Sequence, residues 1–307
     1  MEAIWGIDLG GTKIEGVVLP ADWQRNLQQL QPLARLRIDT EADKGYMHIL
    51  HQIQKLLQML EQETGLKPAR LGIGTPGTRD PVTGLMKNSN TVCLNGQPLK
   101  KDLEALLRIP VIMANDANCF ALAESRLGRV ALEQLQPEVV FGVIMGTGVG
   151  GGLVVRNQLI QGAQGIAGEW GHNFLDASGG PCYCGKTGCV ETVISGPALE
   201  RYYASLTGQH IKLKTIVQRF QEGDAAARQT IERLLENFGK AISVVINIVD
   251  PDVVVLGGGL ANIDLLYSEG LQRIRKYVFN NRLDTLIYPP ALGDSAGVFG
   301  AAMLVSA

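Results

Sequence analysis

Asp116 stands in the run Ala114-Asn115-Asp116-Ala117-Asn118, with an apolar strand pattern before it and a helical stretch, Phe120 to Leu127, after it. A carboxylate at such a strand end suits a helix N-cap. It equally suits a general base that takes the proton of an attacking hydroxyl while phosphates are clamped nearby, and one side chain can do both. Three glycine-bearing segments could supply the clamp. In Asp8-Leu9-Gly10-Gly11-Thr12-Lys13 the glycines let backbone amides approach a phosphate, Thr12 adds a donor beside Lys13, and Asp8 is placed to hold magnesium or its water. A tight hairpin with a capping Asp fits the same residues. Gly146-Thr147-Gly148-Val149-Gly150-Gly151-Gly152 has five glycines in seven positions, more than hairpin geometry asks for, and reads as a turn packed against a bulky ligand such as a nucleotide. Gly257, Gly258 and Gly259 follow the strand pattern Val253 to Leu256, where open α/β sheets bind nucleotides. Because the run from Gly146 precedes an apolar strand and no helix, it is not the dinucleotide fingerprint.

Glu169, His172 and Glu191 supply two carboxylates and an imidazole, groups suited to reading the hydroxyls of a sugar. His172 lies ten residues before Cys182, and Cys184 and Cys189 complete four nitrogen and sulfur ligands, the set that a closed, structural zinc site needs. Free buried thiols are the alternative, since Cys-x-Cys is tighter than the common Cys-x-x-Cys spacing. A zinc there would fix the loop carrying Glu169 and the segment carrying Glu191. Cys93 and Cys119 fall outside the set and read as core residues.

The elements that must position these groups alternate between strand and helix patterns. Ile4 to Leu9 and Ile14 to Leu19 predict a strand, turn and strand, followed by a Gln-rich connection from Ala21 to Gln31. Met47, Leu50, Ile53, Leu56, Leu57 and Leu60 recur at helical spacing, and Thr64-Gly65 closes that helix. Strands are predicted at Leu71 to Ile73, Val111 to Ala114, Val139 to Met145, Leu153 to Val155 and Val253 to Leu256, with a long helix tracing Ile231 to Ile246. Ile4 to Leu19 and Phe141 to Val155 share one plan of strand, Gly-Thr turn and strand, a weak internal duplication. The expectation is an α/β fold with covered sheets and two similar lobes, whose cleft is the natural ligand site.

Composition narrows the classes. With 307 residues the chain has room for roughly two domains of about 150 residues each. A hydrophobic fraction of 46%, a charged fraction of 19% and a net charge of −2 describe a soluble globular protein and give no basic signal for nucleic acid. No apolar run is long enough to span a bilayer, and the acidic start through Asp8 lacks the pattern of a secretory leader. Crowded cysteines instead of a dispersed even set point to a reducing cytoplasm.

Taken together, Asp8 to Lys13, Gly74 to Gly77, Asn115 to Asn118, Gly146 to Gly152, Gly168 to His172, Cys182 to Glu191 and Gly257 to Gly259 resemble the repressor, open reading frame and kinase (ROK) family of sugar kinases, over essentially the whole chain. The resemblance implies a two-lobed actin-like ATPase (ribonuclease H-like) fold, with residues 1–116 as the first lobe, 117–294 as the second, and a final helix within 295–307 folding back on the first. It implies Asp116 as catalytic base, sugar contacts from Gly77, Asn90, Asn115, Asp116, Glu169, His172 and Glu191, and zinc at His172, Cys182, Cys184 and Cys189. ATP with Mg2+ would lie on Asp8, Gly10 to Lys13, Gly146, Thr147, Gly148, Gly150 and Gly257 to Gly259. Lobe closure that excludes water and a homodimer are also implied. Within the family, Lys87-Asn88-Ser89-Asn90, Leu94 to Leu99, Gly168 to His172 and Pro181 to Lys186 look most like bacterial fructokinases, which implies transfer to the 6-hydroxyl of fructose, with glucose and N-acetylglucosamine kinases close behind. The connection from Asp176 to Pro181 is shorter than related fructokinases can carry. The family's transcriptional repressors add a DNA-binding domain, for which the residues before Asp8 leave no room. A sugar sensor without turnover is opposed by the presence of Asp8, Asp116 and the glycine-rich segments together.

Overall fold

The computed structural model describes residues 3–24, 27 and 30–306, so the Gln-rich connection lies partly outside the described residues. In chain order the elements are β1 (Ala3–Leu9), β2 (Lys13–Pro20), β3 (Ala34–Asp39), α1 (Tyr46–Thr64), β4 (Leu71–Thr75), β5 (Thr78–Arg79), β6 (Met86–Lys87), α2 (Leu99–Leu107), β7 (Val111–Asn115), α3 (Asp116–Arg126) and α4 (Arg129–Leu132). There follow β8 (Val139–Met145), β9 (Val149–Val155), β10 (Gln158–Ile160), α5 (Val190–Ile194), α6 (Gly196–Thr207), α7 (Leu213–Gln221), α8 (Ala225–Val249), β11 (Val253–Gly257), α9 (Glu269–Tyr277), β12 (Leu286–Tyr288) and α10 (Ala296–Met303). None of the described helices is long and apolar enough to cross a membrane.

Two compact units result. One comprises Met1–Gln136, Gly152–Ala167 and Ala291–Ala307; the other comprises Pro137–Gly151 and Gly168–Pro290. The first therefore takes in α3 and α4, which the sequence reading sets after residue 116. Its sheet has the order β3-β2-β1-β4-β7, and the second sheet the order β10-β9-β8-β11-β12. In both, the first strand of the series lies in the centre with its hairpin partner on one side and later strands on the other, so the duplication legible in the two hairpins extends through each sheet. In the first sheet β1, β4 and β7 run parallel. In the second, β8, β11 and β12 do.

The inner parallel strands β4, β8 and β11 are apolar and almost wholly buried, as strands covered on both faces must be. Helix α1 buries Ile49, Leu50, Ile53, Leu56, Leu57 and Leu60 and ends at Gly65, whose φ of 68° permits the left-handed cap. At β9 the structure departs from expectation. The strand begins at Val149, so Gly150, Gly151 and Gly152 are strand residues and not turn. Gly151 and Gly152 are glycines because the sheet face is crowded: a Cβ on Gly151 would lie 2.7 Å from Trp170 and 2.8 Å from Phe141, and one on Gly152 2.8 Å from the Ala117 carbonyl.

Helix α10 shows the same economy of space. It lies on β1 and β4 and against α3, and a Cβ on Gly6, Gly72 or Gly300 would come within 2.3 Å of the Ala302 nitrogen, 1.8 Å of the Ala301 carbonyl oxygen and 1.8 Å of the Cys119 carbonyl oxygen respectively. Buried Glu124 ties down the segment leading into α10, accepting hydrogen bonds from the amides of Ala291 and Leu292. Gly300→Ala is expected to abolish accumulation of folded protein or lower Tm by more than ten degrees, because backbone is what the new methyl meets. Gly65→Ala, with open space around it, should cost only about 1 kcal/mol through its positive φ. Thermal denaturation of the two variants side by side checks the contrast.

Candidate active site

In the first unit the predicted residues gather at the carboxyl ends of the parallel strands. Asp8 on β1 pairs in register with Gly74 on β4, and Gly74 with Ala114 on β7. The Asp8 carboxylate fits only because two neighbours lack side chains: a Cβ on Gly297 of α10 would sit 2.6 Å from its Oδ2, and one on Gly74 3.1 Å from its Oδ1. The Asp8 pKa is raised to about 7: burial is the largest cause, the charges of Asp116 and Glu15 add to it, and that of Arg37 opposes them. Glu15 is itself buried and held by Arg35 and Arg37.

Beyond Asp8 the turn Gly11, Thr12 and Lys13 is exposed. Its shape is set from below by the Gly10 amide donating to the Lys13 carbonyl at 2.9 Å and by Thr40, whose amide donates to the Thr12 carbonyl and whose hydroxyl donates to the Gly10 carbonyl. Thr40 is fully buried and was not singled out by spacing or motif.

At the β7–α3 junction Asn115 is the N-cap, its Oδ1 accepting the Asn118 amide at 2.8 Å. Asp116 is the first helical residue and accepts the Ala117 amide. The capping role expected of Asp116 thus belongs to its neighbour, one residue earlier, where extended backbone lets a side chain reach back to the third amide. Asp116 keeps solvent-exposed surface, yet protein surrounds it enough that desolvation raises its pKa above the usual carboxylate value. The exposed surface decides what can reach the group, and the surroundings set its proton affinity.

Thr75 pairs in register with Asn115, and its hydroxyl donates to the Gly77 and Ala114 carbonyls, which brings the Gly77 turn to the same strand end. Gly77, at φ 99°, packs its backbone on Lys87 and Ser89. Asn90 is exposed in the following loop, which Asn95 holds by a reciprocal pair of hydrogen bonds to the Ser89 backbone, 2.9 Å each.

The second unit carries the rest. Gly146, Thr147 and Gly148 link β8 to β9, closed by a 2.9 Å bond from the Gly146 amide to the Gly148 carbonyl. Gly258, at φ 77°, fits against the Met145 backbone, and a Cβ on Gly146 would lie 3.9 Å from the Gly259 nitrogen, so the ends of β8 and β11 present their backbones together. Gly257 ends β11, and Gly258 and Gly259 lie exposed beyond it. Gly150 is fixed within β9, where its carbonyl accepts from Trp170 Nε1 at 2.8 Å. Trp170 so anchors the Glu169 loop, and Gly171 must lack a side chain because a Cβ there would meet the Val149 carbonyl at 2.0 Å. Glu191, in the first turn of α5, accepts the Val149 amide with Oε2 at 3.0 Å.

His172, Cys182, Cys184 and Cys189 have ligand atoms all within 4.8 Å of one another. Cys182 Sγ is 3.6 Å from His172 Nδ1, and Cys184 Sγ 3.6 Å from Cys189 Sγ. A tetrahedron built on Zn–S of about 2.3 Å and Zn–N of about 2.0–2.1 Å has edges of about 3.6–3.8 Å, so these two pairs stand at the spacing of a zinc site and the four side chains together could hold such an ion. Around them the backbone makes two isolated bridges, Phe174 with Cys189 and Pro181 with Thr187.

Asp8→Asn should stabilise the ligand-free protein at neutral pH. Since the folded pKa is raised, the wild-type contribution is full below the ordinary value near 3.8 and is lost as pH rises through about 7. The two Tm values are expected to agree near pH 4 and to differ by a few degrees at pH 8, the variant being higher. Cys184→Ser is expected to reduce bound zinc by at least tenfold at matched free metal, measured by elemental analysis after dialysis.

The pattern of the ROK family matches residues 4–307. The N-acetyl-D-glucosamine kinase of Vibrio atlanticus (strain LGP32) is 36% identical over 310 residues, spanning 98% of each chain. Among solved structures, a ROK hexokinase from Thermus thermophilus superposes with a TM-score of 0.86 at 29% identity, over 99% of this chain and 97% of that one. A ROK family glucokinase from Streptomyces griseus, in complex with glucose and AMPPNP, gives 0.78 at 26% identity over 99% of both. The α/β architecture is accordingly the actin-like ATPase fold, and the chain belongs to the ROK family.

Proposed function

We propose that this chain is an ATP-dependent sugar kinase in which Asp116 is the general base and fructose, phosphorylated at its 6-hydroxyl, is the acceptor. The observation that carries the base assignment is the placement of Asp116: an exposed carboxylate at a strand end, with a raised proton affinity and one oxygen steadied by a backbone amide. Such a group takes the proton as the sugar hydroxyl attacks the terminal phosphorus of ATP. Asn115, Gly77, Asn90, Glu169, His172 and Glu191 are the proposed sugar contacts.

For the nucleotide, the exposed backbone of Gly11 to Lys13, Thr147, Gly258 and Gly259 is the proposed phosphate cradle, with Gly10, Gly146, Gly148 and Gly257 shaping the turns that carry it. Asp8, a carboxyl at the same strand ends whose neighbours disfavour its charge, is suited to a cation that arrives with the nucleotide. Magnesium bound there, directly or through water, supplies charge neutralisation on the phosphates. Zinc at His172 and the three cysteines takes no part in the reaction and holds the Glu169 and Glu191 segments in place. A cytoplasmic location and a homodimer complete the proposal.

A second reading has a specific observation behind it: the relative from Vibrio atlanticus is named an N-acetyl-D-glucosamine kinase. The fructose reading rests on the residues around Asn90 and between the cysteines, Pro181 to Lys186. A hydroxyl or a methylene more or less changes binding by only a few kcal/mol, so small differences in these loops decide the sugar.

Turnover of ATP by the purified protein with magnesium, compared as kcat/KM for fructose, glucose, mannose and N-acetylglucosamine, is expected to favour fructose. A preference for N-acetylglucosamine would establish the second reading, and no turnover with any sugar would refute the kinase. Asp116→Asn is expected to lower kcat by at least about a hundredfold while sugar binding, followed by calorimetry, stays within a few-fold.

A further inference from the structure

Residues 161–167 follow β10, belong to neither helix nor strand, and lead within two further positions to Glu169. Most of them are exposed, so no core holds this strap in place. Polar ties to the first unit do so instead. Gln161 Nε2 donates to the Met113 carbonyl of β7 at 3.1 Å. The Thr78 hydroxyl of β5 donates to the Gly165 carbonyl at 3.0 Å, and Lys87 Nζ of β6 donates to the Gln164 carbonyl at 3.0 Å. Gly165, at φ 71°, lies buried against the same hairpin, where a Cβ would stand 3.1 Å from the Arg79 carbonyl oxygen.

Lys87 is where these ties meet the proposed sugar contacts of that unit. It pairs in register with Thr78, and its Nζ donates also to Asp80 Oδ2 at 2.8 Å. Asp80 in turn accepts the Val82 and Thr83 amides with Oδ1, so one ammonium joins the β5–β6 turn to the strap. The Lys87 carbonyl oxygen lies under Gly77, where a Cβ would come within 2.7 Å of it, and Asn90 follows three residues later. The Lys87 and Asp80 side chains are 30% and 26% exposed, and an ion pair so open to water adds little to global stability. Charge-assisted bonds to two loop oxygens do, however, fix local order.

We propose that Lys87 is a positioning residue for the acceptor sugar: by fastening residues 161–167 to the β5–β6 hairpin it orders the Gly77 turn, the Asn90 loop and the chain leading to Glu169, and so sets sugar affinity without touching the sugar. The inference rests on the sugar-kinase reading and adds to it the residue that holds the contacts ready. A loop without a core that loses its tie spends less of its time in the binding arrangement. Apparent affinity then falls in proportion to that fraction, while the bound state reacts as before.

The test compares wild type with Lys87→Met, which keeps the apolar stem, with Lys87→Arg, with Thr78→Val and with the Lys87→Met/Thr78→Val double variant. In Lys87→Met, KM for the preferred sugar is expected to rise about tenfold, with kcat, KM for ATP and Tm unchanged. Lys87→Arg, able to reach the same two oxygens, should stay within about twofold of wild type. Thr78→Val should raise the same KM less, and the double variant should fall short of the product of the single effects, because both ties hold one strap. Exchange of the Gly165 and Ala167 amides, which bond within the strap, should quicken in Lys87→Met, a readout that needs no turnover. An unchanged sugar KM or unchanged exchange would overturn the inference. So would Lys87→Arg as impaired as Lys87→Met, or effects that multiply with Thr78→Val, either of which makes Lys87 a direct sugar contact. Wild-type protein that phosphorylates no sugar refutes the kinase reading and the inference with it, and is told apart from the other failures because it shows before any variant is made.

Discussion

A carboxylate pressed between two bare backbones organises the first unit. Asp8 has room at the end of β1 only because Gly74 on the neighbouring strand and Gly297 on α10 carry no side chain. The same closeness removes water, lifts the proton affinity of Asp8 to near neutrality and makes the group costly to ionise without a cation. That cost is tolerated because α10 seals the sheet, and α10 can come that near only through Gly6, Gly72 and Gly300. Packing and charge at this strand end are therefore one constraint: a larger residue in the glycine bed would displace the helix and also change the environment of the carboxylate.

The second unit meets the same demand, presenting backbone at the ends of parallel strands, with different means. Its turns are held open by Gly258 against Met145 and by Glu191 against Val149. Where the first unit uses buried Thr40 to shape its loop, the second uses Trp170, anchored on the Gly150 carbonyl and packed edge-on to Phe141. The segment after His172 has no core of its own. Phe174 and Tyr183 are largely exposed, and four side chains that could hold a metal ion gather there within 4.8 Å of one another.

What the amino-acid sequence disclosed follows from how local the signal is. The β1–β2 hairpin, α1, β8 and α8 are written in short periodic patterns, and the metal set in spacing within one segment. Start and stop residues blur where glycine carries no propensity, which is why β9 begins earlier than its first bulky residues suggest. The cap at α3 differs from expectation by one position, because Asn115 and Asp116 are both good caps and only the extended backbone of Asn115 selects it. Thr40, Asn95, Glu124 and Tyr183 act on partners that periodicity cannot reveal: Glu124 meets Ala291 across 167 positions, and Tyr183 meets His172 only once the cysteine turn has folded.

The first unit is assembled from three stretches of chain, the last of them beginning at Ala291. Its central strands are made before the second unit, and the helix that covers their glycine-lined face is made after it. On the ribosome that face stays uncovered while the intervening chain is synthesised, on the order of ten seconds or more at ~5–20 residues per second. The second unit, complete by Pro290, is available to fold during that interval. The unit begun first is thus the one completed second, and the surroundings of Asp8 are closed by a helix made after the whole of the other unit.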